Sequence, residues 1–205
     1  MYPKISHQKG MHPIANKNNI TPLDSLPRRI FLDSSTIQDL HSYGGFIWDG
    51  ERIPIEARIW SVPQGVENLE ALKDIILVDQ RAMFEFALSD NSLSEVRGKR
   101  DSSYLQWGYD LFDHWLSCLE LYQSDPIKGK NVQLASKLNG KHFGYLAEKD
   151  KRLIKDAILL ECGAFMTMDH RLSKNGHHLE KNFGIKILTP VQFWEMLLPW
   201  AALFV

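Results

Sequence analysis

Two patterns of apolar residues alternate along the chain. Short apolar runs at residues 30–33, 83–89, 164–167 and 185–189 predict buried strands. Between them, apolar residues recur every three or four positions, which predicts helices or helical turns over 34–45, 65–76, 90–98, 104–122, 146–163 and 190–200. This alternation is typical of a mostly parallel central sheet covered by helices on both faces. We therefore predict an α/β fold of the α/β/α sandwich type.

Two segments depart from the alternation. Residues 1–28 are rich in Pro, Asn, Lys and His without a sustained period, which predicts an irregular N-terminal arm. Residues 46–63 alternate polar and apolar side chains around "RIPIEARIW", which predicts an edge strand or hairpin, because Pro54 does not suit a central strand. Since 205 residues are enough for one substantial α/β core, we expect a single domain over 29–205 with an insertion near 46–63.

Composition narrows the class of protein. A hydrophobic content of 44% and a charged content of 24% are ordinary for a globular protein. The formal net charge of -1 argues against a protein that coats nucleic acid through charge alone, although an acidic metal site in a nuclease would offset basic patches. Cys118 and Cys162 lack metal-ligand spacing, which predicts free thiols in a reducing compartment. With no secretory signal pattern and no apolar run of about 18 residues, we expect a cytoplasmic protein outside the membrane.

Acidic residues follow several of the predicted strands. Asp33 and Asp169 come directly after strands, and Glu95 follows the strand at 83–89 by a few residues. Parallel strands all end at one edge of a sheet, and ligands bind in the crevice outside their carboxyl ends. On the helix over 146–163, Asp150 continues the apolar stripe at the N-terminal end, whereas Asp156 lies on the face expected to meet solvent. Asp150 is therefore the preferred fourth member, with Asp156 as the alternative.

Carboxylates gathered in this way repel one another unless a cation neutralises them. An all-oxygen acidic site suits a hard cation such as Mg²⁺ or Mn²⁺, which retains waters and binds substrate phosphates. Phosphodiester hydrolysis is the reaction that such a site favours, with one or two metal ions. Arg171 would lie near the site and can bind phosphate bidentately, and Lys151 and Arg152 are further candidates for contact with a nucleic-acid backbone.

Four segments of the chain resemble segments of the PIN domain nucleases. "FLDSSTI" resembles the opening strand of that family with its first metal-binding Asp, and "FALSDNSLSEV" resembles the segment that supplies a Glu. "DKRLIKDAILLECGAFMTMDHRL" resembles the signature in which an Asp opens a helix, an Ala lies seven positions on, and T-x-D follows the next strand. "GIKILTPVQFWEML" resembles the closing strand and helix. The resemblance extends over about residues 29–198.

The resemblance implies a Mg²⁺- or Mn²⁺-dependent endoribonuclease, as in VapC-type toxins and RNA-processing PIN enzymes. It implies two groups of site residues: the metal ligands and catalytic residues Asp33, Glu95, Asp150 and Asp169, and the supporting hydroxyls of Ser34 and Thr167. A toxin would have a small antitoxin-like protein as a partner. The apolar C-terminal tail favours a homodimer, and the resemblance implies one too, because members of this family tend to dimerise.

Each carboxylate also has an ordinary structural interpretation. Asp33 would cap the following helix, Asp150 would interact with a helix dipole, Glu95 would form a capping box with Ser92, and Asp169 would begin a turn. The alternative function is accordingly a catalytically silent PIN-like module that binds RNA or protein. A haloacid dehalogenase-type phosphatase is disfavoured, because it needs D-x-D after the first strand and this chain has "DSS".

Overall fold

The computed structural model describes residues 22–97, 102–121 and 130–203. Its four strands are β1 (Arg29–Leu32), β2 (Glu85–Ala87), β3 (Ala164–Met166) and β4 (Lys186–Leu188), which form one sheet in the order β2-β1-β3-β4. All three strand pairs are parallel. The helices are α1 (Ser34–Ser42), α2 (Gly44–Trp48), α3 (Gly65–Ala82), α4 (Asp90–Arg97), α5 (Ser102–Leu121), α6 (Lys130–Ser136), α7 (Glu148–Leu159), α8 (His170–Lys174), α9 (Gly176–Phe183) and α10 (Pro190–Ala201).

The predicted α/β class with a parallel sheet is confirmed. Each of the four apolar runs overlaps one of the observed strands, and every predicted helix is present. The helix that begins at Gly65 continues to Ala82, and the segment 170–184 holds the two helices α8 and α9. Pro190 occupies the first position of α10, where its missing N–H costs nothing.

The sheet separates two apolar cores, because successive side chains of a strand point to opposite faces. Ile30 and Leu32 pack on one face with residues of α1, α3 and α10. Phe31 packs on the other face with residues of α6, α7 and α9. Its ring stacks on Phe165 of the neighbouring strand with 5.5 Å between centroids. Helices thus cover both faces, and the ends of the strands remain at the edges of the sandwich.

The prediction of an edge strand or hairpin at 46–63 is wrong. This segment contains the end of α2, an irregular stretch and a 3-10 helix at Arg58–Ser61. The Ala57 N–H donates to the Pro54 carbonyl, and the Trp60 indole N–H donates to the same oxygen. These local bonds occupy groups that a strand would need for pairing, and the 93% exposure of Ile55 shows that the apolar alternation does not bury one face.

The predicted N-terminal arm lies mostly outside the described residues, which begin at residue 22. From there Leu23–Ser25 forms a 3-10 helix, and Leu26 is buried in the first core, so the packed part of the chain begins slightly before Arg29. Within the described ranges, no helix is long and apolar enough to cross a membrane.

Candidate functional site at the carboxyl edge of the sheet

Asp33 lies where β1 ends and α1 begins, beside the end of β3. Its backbone N–H donates to the Met166 carbonyl at 2.9 Å, which extends the pairing of the two strands by one residue. Asp33 is also the N-cap of α1, since its Oδ1 accepts the Ser34 N–H at 2.8 Å. Asp33 is only 7% exposed, so the position of its carboxylate is determined by packing and by its hydrogen bonds.

Two hydroxyl groups hold the second oxygen of this carboxylate. Ser35 Oγ donates to Asp33 Oδ2 at 2.6 Å, and Thr167 Oγ1 donates to the same oxygen at 2.8 Å. Sequence reasoning named Ser34 as the supporting hydroxyl, whereas in the structure Ser34 supplies its N–H and the hydroxyl comes from Ser35. The second serine of "DSS" is the signal that identifies it.

Thr167 connects Asp33 to Asp169. Its side chain is fully buried, and its Oγ1 accepts the Asp169 N–H at 3.1 Å while donating to Asp33. Ser35 Oγ similarly accepts the Met168 N–H at 3.1 Å. The chain after β3 is thereby attached to the chain after β1 through two side-chain hydroxyls. This arrangement brings Asp33, Thr167 and Asp169 together at one place on the edge, as the sequence predicted.

Asp169 forms a bidentate ion pair with Arg171. Arg171 Nε and Nη2 donate to the two carboxylate oxygens at 3.2 and 3.0 Å, and the Arg171 N–H donates to Oδ1 at 2.8 Å. The last bond makes Asp169 the N-cap of α8. The Arg171 guanidinium holds the pKa of the Asp169 carboxyl below its ordinary value, although partial burial opposes the shift. The Arg171 side chain is 91% exposed, so it can leave the carboxylate without disturbing the core.

Asp150 lies in the first turn of α7 and is half-buried. The hydrogen bond to Asp169 is the main cause that raises the pKa of Arg171, and the negative charge of Asp150 adds to it, so Asp150 lies within electrostatic range of the Asp169–Arg171 pair. Of the two proposed phosphate-binding cations on α7, Lys151 donates to Glu148 at 2.7 Å and Arg152 is exposed.

The expectation that Asp156 faces solvent is wrong. Asp156 is half-buried, and its Oδ2 accepts hydrogen bonds from Ser89 Oγ at 2.6 Å and Asn91 Nδ2 at 2.7 Å. The helical wheel did not show that α4 packs beside α7 and covers this face. Asp156 therefore joins α7 to the start of α4, and the structure gives it a different set of partners from Asp33 and Asp169.

Glu95 belongs to α4, which contacts both α1 and α7. The helix therefore lies between the element that begins at Asp33 and the element that carries Asp150. The side chain of Glu95 lies outside the described part of the structure.

Sequence reasoning missed a second polar contact at this edge. Asn68, 1% exposed on α3, has its Nδ2 3.2 Å from His170 Nε2, and its Oδ1 accepts the Val191 N–H at 3.2 Å. The signal was present in the sequence, because Asn68 lies four and seven positions before Leu72 and Ile75, in the apolar stripe of α3. A polar residue at such a position needs a partner in the core.

The oxygen atoms at the edge suit a hard cation that keeps part of its water shell. They do not suit a cation whose ligands all come from the protein. Among the side chains that the structure describes, no three acidic, histidine or cysteine residues converge closely enough to hold a metal ion. Asp33, Asp150 and Asp169 therefore do not form a three-carboxylate cluster. Mg²⁺, however, is commonly held by one or two carboxylates together with water and substrate phosphates. The two carboxylates of Asp33 and Asp169, residues that Thr167 links through the Asp33 side chain and the Asp169 backbone N–H, fit that mode of binding.

The chain has no match among family models, curated proteins or solved structures. The resemblance to PIN domain nucleases therefore remains a prediction from the residues quoted above.

Proposed function

We propose that the carboxyl edge of the sheet is a hydrolytic site for RNA phosphodiester bonds and that it uses Mg²⁺ or Mn²⁺. The proposal makes the chain an endoribonuclease of PIN type. The observation that carries it is the bridge through Thr167, which donates to the buried Asp33 carboxylate and accepts the Asp169 N–H. The fold thus holds two acidic residues from adjacent strands in a fixed relation, at the edge where parallel sheets bind ligands.

The roles of the residues follow from their surroundings. Asp33 and Asp169 would hold the cation, with Asp150 and Glu95 on the flanking helices as further acidic groups. A bound divalent cation supplies neutralisation of phosphate charge and activation of water. Ser35 and Thr167 keep the Asp33 carboxylate in one orientation, which avoids reorganisation when substrate binds. Arg171 would move from Asp169 to a phosphate oxygen, and Lys151 and Arg152 would contact the strand farther along.

A silent binding module is the second candidate, and the ion pair between Asp169 and Arg171 favours it. A guanidinium that occupies both oxygens of a candidate metal ligand already neutralises that carboxylate. In a silent module this pair would be permanent, and RNA or protein would bind without hydrolysis. In the nuclease, the pair would open when the cation and substrate bind.

Cleavage of a mixed pool of end-labelled RNAs tests the two functions. Purified wild type would be compared with Asp33→Asn, Asp169→Asn and the matched control Asp24→Asn, each with Mn²⁺, Mg²⁺ or EDTA. Asp24 is an exposed residue of the N-terminal 3-10 helix, so its substitution removes the same charge away from the site. Thermal unfolding of every variant would confirm that each is folded.

The nuclease proposal predicts cleavage that requires metal, persists in Asp24→Asn and is lost in Asp33→Asn and Asp169→Asn. RNA binding without cleavage under every metal condition would refute catalysis and support the binding module.

The partners belong to the same proposal. RNA is the substrate, and a small antitoxin-like protein that reaches the acidic edge would be a partner if the enzyme acts as a toxin. A homodimer through the apolar C-terminal tail is a further expectation, which sedimentation of the purified chain would test.

A further inference from the structure

A buried amide orients the histidine that follows Asp169. Asn68 lies in the first turn of α3, His170 begins α8, and Val191 lies in the first turn of α10. Asn68 contacts both of the other residues, with each of its two polar atoms 3.2 Å from its partner. Three elements that start at the carboxyl edge therefore meet at one side chain.

The contact with Val191 determines which way the Asn68 amide points. A backbone N–H can only donate, so the atom facing Val191 must be Oδ1. Nδ2 then faces His170, and because an amide nitrogen can only donate, His170 Nε2 must be the acceptor. A neutral imidazole that accepts at Nε2 carries its proton on Nδ1. The structure thus defines the tautomer of His170 without reference to any ligand.

The Nδ1–H of His170 is a donor available to a ligand. Within ranges 22–97, 102–121 and 130–203, the hydrogen bond between Nε2 and Asn68 is the only one that the His170 ring forms. His170 is half-buried and directly follows Asp169, whose backbone N–H is connected to Asp33 through Thr167. Asn68 fixes the ring from its Nε2 side, and the described residues supply no acceptor for the Nδ1–H. A half-buried donor of this kind is suited to binding a substrate oxygen.

On the basis of the proposed function, we propose that His170 donates from Nδ1 to a phosphate oxygen of the RNA strand and that Asn68 positions it for this role. The acceptor is assigned to the phosphate because the neighbouring Asp169 would hold the cation to which the phosphate binds. A single hydrogen bond to a phosphate oxygen does not depend on the identity of the base, so this contact orients the strand without selecting a sequence. Asn68 is a positioning residue, since it acts on substrate only through His170.

A purely structural role for Asn68 makes a different prediction. Val191 is the second residue of α10, where backbone N–H groups lack a partner within the helix, and Asn68 supplies one. If this were its whole purpose, the identity of residue 170 would not affect RNA. The test must therefore change the two ring positions of His170 separately.

Two substitutions of His170 make that separation. The amide nitrogen of Asn reaches approximately the position of Nδ1, and that of Gln reaches approximately the position of Nε2. His170→Asn therefore retains the donor proposed for phosphate, whereas His170→Gln retains only a group near Asn68. The affinity of a short single-stranded RNA with a non-hydrolysable backbone, measured by fluorescence anisotropy with Mg²⁺ present, should fall about tenfold for His170→Gln and much less for His170→Asn.

Asn68→Asp provides the complementary variant. Its carboxylate still accepts the Val191 N–H, but it places a second acceptor against Nε2, so that in alkaline buffer, which keeps the ring neutral, the single imidazole proton lies on Nε2 instead of Nδ1. RNA affinity should fall about as far as for His170→Gln. Ring ¹⁵N spectra of His170 should show the proton on Nδ1 in wild type and on Nε2 in Asn68→Asp, a change that a capping role alone does not require.

The outcomes distinguish this inference from the proposed nuclease. Equal RNA affinities for wild type and the His170 variants, or a wild-type proton on Nε2, would overturn the role of His170 even if metal-dependent cleavage is observed. If wild type neither binds nor cleaves RNA, both proposals are overturned. Weak binding by His170→Gln and Asn68→Asp with near-normal binding by His170→Asn would support the inference, whether or not the RNA is cleaved.

Discussion

Replacing Thr167 with Val removes the bridge between the two acidic strand ends while keeping the shape of the side chain. Valine has a methyl group where threonine has its hydroxyl, so the buried site is neither emptied nor overfilled. The substitution deletes the bond to Asp33 Oδ2 at 2.8 Å and deprives the Asp169 N–H of its acceptor at 3.1 Å. Ser35 continues to donate to Asp33, which keeps the carboxylate partly satisfied.

The expected decrease in the free energy of unfolding follows from the loss of these two hydrogen bonds. A hydrogen bond to a charged group contributes about 1.5–3 kcal/mol, and an N–H left without a partner costs about 1–3 kcal/mol when buried. The Asp169 N–H is only partly buried, so its loss belongs at the lower end of that range. We expect the free energy of unfolding to fall by roughly 2–4 kcal/mol. For a chain of this length, each 1 kcal/mol lowers Tm by about 2–4 °C, which gives a decrease of roughly 10 °C.

Thr167→Ser is the matched control, because it keeps the hydroxyl and removes a buried methyl group worth about 1 kcal/mol. Denaturant unfolding of the three proteins, with the slope compared among them, would give the free energies. The reasoning predicts that the valine variant is clearly less stable than the serine variant. A serine variant as unstable as the valine variant would refute it, since packing of the methyl group would then account for the effect.

Three further predictions concern residues outside the site. Burial raises the pKa of Asp39 to about 6 from the ordinary 3.8, against the opposing charge of Arg58. A carboxyl with a raised folded-state pKa favours folding when protonated, so its contribution to stability is lost as pH rises from about 4 to 6. At 1.36 kcal/mol per pH unit, this costs about 3 kcal/mol above pH 6, and Asp39→Asn should unfold at higher denaturant than wild type at pH 7 but not at pH 4. Glu161 follows the end of α7 with φ 57°, a left-handed conformation that glycine adopts without strain. Glu161→Gly should therefore raise the free energy of unfolding by about 0.5–1 kcal/mol, measured by thermal unfolding, whereas Glu161→Ala should not raise it through relief of strain. Burial also raises the pKa of the Cys162 thiol, so in a Cys118→Ser background this thiol should react with a disulfide reagent only on unfolding; rapid reaction of the folded protein would contradict the buried position.

The elements that could be predicted from sequence are those whose signals are local. Apolar runs identified the four strands, and the parallel pairing followed from the helices between them. The start of α10 is equally local, because Thr189 and Gln192 form a capping box around Pro190. The position of Asp33 and Asp169 at one edge followed from the topology alone, since each comes directly after a strand.

The features that could not be predicted depend on contacts between distant segments. Asp156 was assigned to solvent because a helical wheel does not include the neighbouring segment, in which Ser89 precedes α4 and Asn91 lies in its first turn. The hairpin prediction failed for a related reason, since alternation around Pro54 is the same whether the chain pairs in a sheet or folds back on itself. The role of Asn68 depends on its contact with His170, which is 102 positions away in the sequence.

The initial rate of RNA cleavage as a function of Mn²⁺ concentration tests the central claim most directly. The account predicts a rate that rises and saturates with Mn²⁺ in wild type and in the Asp24→Asn control. In the folded variants Asp33→Asn and Asp169→Asn, cleavage should be undetectable or should reach the wild-type rate only at a far higher Mn²⁺ concentration. Rates in these two variants that equal the wild-type rate at every Mn²⁺ concentration would contradict the account, because hydrolysis would then not depend on the acidic pair held by Thr167.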